Sequence, residues 1–307
     1  MGLGLLLVER PVPAAVHQPL DPAESVRSIL AVPDSQLDYA RAKLAFDRII
    51  DTSFNADATF AEVERLATHA TALAGAGAND AAKLAAVRRV IYTSGAWNGN
   101  RPFSYDLADP LGQNVRNKLL STYLATRRGN CVSMPILFLL VGERMGLNLS
   151  LSTAPIHVFV RYTDPAGREM NLETTSGGHP ARTLWYRQQM PMSDRAVASG
   201  LYLRTLTRRE AVALMATTVM DFLMGERRYQ EAIEVGEIIL QHNPRDALTM
   251  VHVGSADAEL MRTEFVERYP DPALIPPAMR ARYAMLAQRN RQMFQAAEAL
   301  GWEEPRN

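Results

Sequence analysis

The chain of 307 residues contains a single cysteine, Cys131. One cysteine excludes an internal disulfide and any metal site built from several thiolates, and it fits a reducing compartment. Net charge is absent as well, since 33 basic residues balance 33 acidic ones. No excess of positive charge recommends nucleic acid or an acidic membrane as a partner. No apolar run approaches the ~18 residues of a membrane span. The pairs C-x-x-C, H-x-x-x-H and H-E-x-x-H do not occur, so no metal is expected. Gly-x-Ser-x-Gly is missing, which removes the nucleophile-elbow serine hydrolases. The glycines of GAGAND (75–80) are too few and wrongly spaced to cradle a phosphate, and no cofactor is expected. At the N-terminus, the short run at 2–8 followed by small residues resembles part of a secretion signal but has no basic leader. We read it as a tail and expect a cytoplasmic protein. The alternative is a periplasmic or secreted one, if this is a truncated signal peptide.

What is present is mostly helical. In LDYARAKLAFDRII, apolar residues recur at three and four (Leu37, Ala40, Leu44, Ile49). TFAEVERLATHATALA repeats the pattern, and DAAKLAAVRRVIYTSG starts a third helix after GAGAND. Residues 96–121 are polar and rich in Asn, Gly and Pro, leading to a short helix at 119–125. Residues 132–145 are apolar almost without interruption, which predicts a central helix. Pro135 suits its first turn and Gly146 its C-terminal cap. The period then changes from 3.6 to 2. Residues 157–162 and 169–173 read as two strands joined by Asp-Pro-Ala-Gly, a strong turn signal. The remainder is helical, and GERRYQEAIEVGEIILQHNPRDAL has the spacing of the second half of a tetratricopeptide repeat. Fewer than three clear repeats make it a short appendix and not a free solenoid.

Cys131 stands where a loop becomes the apolar helix. A lone cysteine is most often a small buried hydrophobe. Here the helix N-terminus favours thiolate over thiol, Arg127 and Arg128 lie close in sequence, and free backbone N–H groups there would hold an oxyanion. The candidate base is His157, at the start of the first strand. A type I turn with Gly167 as bulge pairs Asp164 with Arg168 and sets Phe159 opposite Glu173. Glu173 then lies diagonal to His157 on one face, within reach to orient the imidazole. Asn171 has the same parity and is the substitute orienter. Asn130 is either an oxyanion donor or, by a small margin, a helix cap. Trp97 and Tyr105, in the preceding loop, are candidates to line a substrate groove. His179 has too few companions for a zinc site.

The order of thiol on a helix start, histidine on a strand and acid on the next strand is that of the papain/transglutaminase type of core. The blocks YTSGAWNGNRPFSYD, NKLLSTYLATRRGNCVSMPILFLLVGERMGL, PIHVFVRY and NLETTSGG, in this order, make the chain resemble the bacterial SirB-type, transglutaminase-like proteins. That resemblance covers most of the chain. It implies an α+β protein with a helical N-terminal part (1–95), a transglutaminase-like core with a helix packed on a small antiparallel sheet (96–205), and a tetratricopeptide-like helical end (206–307). The third catalytic position departs from the aspartate usual in transglutaminases, being Glu173. The expected function is thiol-dependent acyl chemistry through Cys131, His157 and Glu173, with hydrolysis of a peptide or amide favoured over cross-linking. The alternative is a non-catalytic scaffold that binds a peptide or protein. Because the motif and the repeat-like helices are apart in sequence, chemistry and capture are expected to be separable by mutation.

Overall fold

The computed structural model describes residues 21–304. The N-terminal run read as a tail or truncated signal lies outside the described residues. Four helices come first: α1 (Pro22–Leu30), α2 (Tyr39–Ile50), α3 (Ala56–Ala74) and α4 (Asp80–Tyr92). Each begins on an Asp or Asn whose side chain accepts a first-turn N–H (Asp21, Asp38, Asn55 and Asn79), the preferred chemistry of an N-cap. A loop follows, carrying the two-residue strand β1 (Ser104–Tyr105), then α5 (Leu120–Thr126) and β2 (Arg128–Gly129). The start of α5 is fixed by a fully buried pair. Asp47 accepts from Lys43 Nζ at 2.6 Å and from the Leu120 N–H at 2.8 Å.

Helix α6 (Ser133–Arg144) is buried on all sides, from Met134 through Val141. Its unbroken apolar sequence required such a place: it packs against α3 and α4 on one side and against the sheet on the other. Gly146, at φ 74°, ends it as anticipated. The sheet consists of β3 (Leu149–Ala154), β4 (His157–Thr163), β5 (Glu169–Glu173) and β6 (His179–Ala181), antiparallel in that order. The β4–β5 register is the one expected. Val160 faces Leu172 and Thr163 faces Glu169, and the Asp164 N–H donates to the Arg168 carbonyl across a turn with Gly167 at φ 80°.

Two short helices, α7 (Thr183–Gln189) and α8 (Asp194–Ala198), lead to four longer ones: α9 (Arg208–Gly225), α10 (Tyr229–His242), α11 (Ala247–Met261) and α12 (Pro277–Ala299). Thr207 and Glu210 form a capping box that starts α9 a full turn and a half before the Leu214 expected from the apolar pattern. Helix α9 packs on α2 and on α10, and α1 on α10. One continuous apolar cluster therefore runs from the N-terminal helices through α6 and the sheet into α9 and α10.

Candidate active site

The segment between β2 and α6 is held from three directions. Strand β1 pairs in parallel with β2, Tyr105 opposite Gly129. A Cβ on Gly129 would meet the Tyr123 ring at 2.4 Å and Met134 Cγ at 2.7 Å, so only glycine allows the backbone this close to α5 and α6. Asn130 Oδ1 then accepts the N–H groups of Val132 and Ser133, both at 3.0 Å, and its Nδ2 donates to the Asn117 carbonyl. Asn130 thus caps the start of α6 through its Oδ1. Cys131, between these anchors, is 3 % exposed. Its Sγ contacts the Ile156 carbonyl at 3.7 Å.

Two expectations about the helix start need correction. Its N–H groups are not free: Val132 and Ser133 are capped, Met134 donates to the Asn130 carbonyl, and Cys131 donates to the Pro110 carbonyl at 3.4 Å. The last is the long bond, the one a competing carbonyl displaces most easily. Nor do the arginines turn to the thiol. Arg127 points toward α3, paired with Glu62 at 3.3 Å and lying over the Phe103 ring at 4.2 Å, and Arg128 is exposed.

His157 opens β4 immediately after the turn Pro155–Ile156 that joins it to β3. Ile156 sits at φ 51°, a region that a β-branched residue occupies only under strain. The turn aims the imidazole back at the start of α6. His157 Nε2 lies 2.8 Å from Glu173 Oε2. The same Glu173 oxygen accepts the Tyr186 hydroxyl at 3.0 Å, while Oε1 accepts the Thr175 N–H at 3.0 Å and its hydroxyl at 2.6 Å. Burial works against a charged imidazole, but the nearness of Cys131, the hydrogen bond to Glu173 and the carboxylate charge outweigh it. The ring's pKa is raised to about 9. Burial also opposes the Glu173 carboxylate, yet the bonds from His157 and Thr175 hold it below the ordinary value. With Nε2 on the glutamate, Nδ1 is the nitrogen left for the thiol. The hydrogen-bond partner of the thiol is the Ile156 carbonyl.

The other sequence candidates fall in different places. Asn171 sits opposite Arg161, and its Nδ2 donates to the Ala181 carbonyl and to Thr183 Oγ1; among the two orienters, Glu173 is the one at His157. Tyr105 donates to the Pro110 carbonyl at 3.3 Å, and its phenol is pushed up by burial and by its nearness to Cys131 and Glu173. Trp97 is tied to α4: its Nε1 donates to the Val90 carbonyl and Arg89 lies over its ring. It does not line the cavity at Cys131. His179 is turned to Arg88. Among the described residues no group of three His, Cys, Asp or Glu is placed to hold a metal ion, and no helix is long and apolar enough to cross a membrane.

Residues 57–217 match the family model of the transglutaminase-like superfamily, more than half of the chain. The chain belongs to the transglutaminase-like superfamily. No curated protein and no solved structure matches the sequence. The superfamily segment runs from α3 into α9 and so includes α6, the whole sheet and all three candidate residues.

Sequence reasoning missed Tyr186, which is fully buried and stacked on Phe159 at a centroid distance of 4.2 Å. Nothing in the sequence around α7 signals this, because β6 delivers α7 to the back of Glu173. It also missed Ile156, since no turn pattern calls for isoleucine at a positive φ.

Proposed function

We propose that this transglutaminase-like protein is a cysteine-dependent amide hydrolase, with Cys131 as nucleophile, His157 as proton carrier and Glu173 as the group that orients His157. The observation carrying the proposal is the His157 imidazole bonded at 2.8 Å to the Glu173 carboxylate in the wall of the cavity that Cys131 also lines. In this reading the thiolate attacks the amide carbonyl carbon and forms a C–S bond. The oxyanion takes the Cys131 N–H in exchange for the Pro110 carbonyl. His157 protonates the departing amine as the C–N bond breaks. Water, deprotonated by His157, then opens the thioester and releases the carboxylic acid. Hydrolysis is preferred to cross-linking because transfer needs a second amine site from which water is excluded.

The superfamily match supports the chemistry at the level of fold, and fold alone does not fix function. The finer affiliation with SirB-type proteins, the division at 95 and 205, and the tetratricopeptide-like character of α9–α12 belong to the same proposal, as does a cytoplasmic setting for a lone free thiol. A second reading has its own support. Cys131 is almost completely buried and already bonded to a carbonyl, which suits a core thiol in a peptide-binding scaffold.

The deciding experiment compares wild type with Cys131→Ala and His157→Ala on a library of peptide amides, with thermal unfolding as the control for folding. The hydrolase reading expects turnover to fall by roughly three orders of magnitude or more in each variant. Equal turnover in all three proteins leaves the scaffold reading standing.

A further inference from the structure

The cavity at Cys131 has a volume of about 960 Å³ and two walls of different origin. Cys131, Val132, Ile136, Ile156 and His157, from α6 with the segment just before it and from the β3–β4 hairpin, form the first. The C-terminal helices form the second, with Met215, Asp221, His252 and Phe294, and Trp302 lies just beyond α12. The thiol and the helices, far apart in sequence, thus share one space.

Two properties of this space limit what it takes. Its volume lies at the upper end of the roughly 300–1,000 Å³ of pockets that enclose drug-sized ligands, so a single-residue amide would leave most of it unfilled. Its lining also changes along its length. Around the thiol it is apolar, apart from the catalytic candidates. On the helical wall Asp221 holds Lys118 Nζ at 2.8 Å on one oxygen, and His252 Nδ1 lies 3.5 Å from the other. That second contact is an ion-pair distance without a hydrogen bond, since His252 Nδ1 has no hydrogen-bond partner. Phe294 and Trp302, with ring centroids 6.4 Å apart, line the same cavity.

We infer that the C-terminal helices form half of the substrate site, and that the acyl donor is an oligopeptide, apolar beside the scissile carbonyl and read farther along by His252, Asp221 and Phe294. The inference rests on the thiol chemistry proposed above. Contacts remote from the reacting bond raise the rate by holding the chain in position. Chemistry and capture are therefore coupled through the cavity, where the sequence alone made them separable.

The test uses the full chain and two kinds of thiol reagent. Iodoacetamide needs no cavity. Peptidyl chloromethyl ketones of one, two and three residues, apolar next to the reactive carbon, fill it progressively. In wild type the second-order rate should rise about tenfold or more with length, the scale of one well-placed apolar contact. His252→Ala and Phe294→Leu should lose most of that gain and leave the iodoacetamide rate unchanged; His252→Gln, which keeps the shape of the wall, provides the second variant should His252→Ala unfold. Rates independent of length, or the same length dependence in the variants, overturn the inference while an iodoacetamide rate that still depends on His157 keeps the thiol chemistry. An iodoacetamide rate indifferent to His157→Ala overturns both.

Discussion

The Tyr186 hydroxyl and the His157 imidazole meet on one atom, Glu173 Oε2, at 3.0 and 2.8 Å. A buried carboxylate is stable only when its lone pairs are satisfied, and Tyr186 with Thr175 completes the set that His157 begins. The Tyr186 ring itself is stacked on Phe159. The phenol is pushed up by burial and the neighbouring carboxylate and so stays neutral as a donor.

Tyr186→Phe removes that donor and keeps the stack. The expected loss of stability is about 1.5–3 kcal/mol, the worth of a hydrogen bond to a charged group. On the proposed hydrolase reading, turnover should fall with KM nearly unchanged, because the bond acts on His157 through Glu173 and does not touch substrate. Tyr186→Ala should cost about 3–5 kcal/mol by opening a cavity. Chemical denaturation with parallel turnover assays checks both.

Gly129 supplies the second prediction. Gly129→Ala places a methyl 2.4 Å from a carbon of Tyr123, whose ring is fully buried and packed edge-on against Phe103 at 5.0 Å. The ring cannot withdraw, so the strain should appear as roughly 1–3 kcal/mol of destabilisation. Since Cys131 follows two residues later, the alkylation rate of the thiol should change as well. An unaltered melting temperature would mean that the backbone there yields more easily than this packing allows.

Much of this site was legible in the sequence because β-structure obeys parity. Asp-Pro-Ala-Gly sets the turn, the turn sets the register, and the register carries Glu173 to His157 whatever surrounds them. The central helix was legible for a similar reason: an apolar sequence on every face has only one kind of place to go. The rest was not local. Strand β3 alternates Leu149, Ser150, Leu151 and Ser152, but the serine face is buried too, with Ser150 Oγ donating to the Leu206 carbonyl, so its polarity does not mark solvent. The first-turn N–H groups of α6 looked free because their partners, Asn130 Oδ1 and the Pro110 carbonyl, depend on how the preceding loop folds back. Trp97 looked like a groove residue in a polar loop, and tertiary packing on α4 claims it instead.

Ile156 carries a third prediction, about strain. It is 54 % exposed at φ 51°, so its side chain gains little from burial while its backbone costs on the order of 1–2 kcal/mol. Asparagine tolerates this conformation far better. Ile156→Asn should therefore stabilise the protein by about 0.5–1 kcal/mol. The carbonyl that meets Cys131 is retained, so the reactivity of the thiol toward iodoacetamide should be preserved. A decrease in stability would show that the isoleucine side chain makes contacts worth more than the strain.

The last prediction follows from the protonation of His157 and Glu173. The imidazole is raised from 6.5 to about 9, with burial opposing and the nearby Cys131 and the bonded Glu173 prevailing. A group whose folded pKa lies above its unfolded one binds its proton more tightly when folded. Its contribution is thus fully present below about pH 6.5 and is lost as pH rises through about 9. A shift of this size corresponds to roughly 3 kcal/mol. Glu173 moves the other way, held below its ordinary value of 4.5 against burial, so its contribution is present above that value and lost as pH falls below it. The pair should stabilise the fold most between about pH 4.5 and 6.5. Glu173→Gln removes the charge that holds the imidazolium and lowers the His157 pKa. The difference in melting temperature between wild type and Glu173→Gln should be greatest near pH 5.5, shrink toward pH 9, and level off above it at the part that the Tyr186 and Thr175 hydrogen bonds retain. A difference that stays constant across this range would mean that the imidazole is neutral in the folded protein throughout. In the proposed hydrolysis the proton for the leaving amine would then have to come from another group.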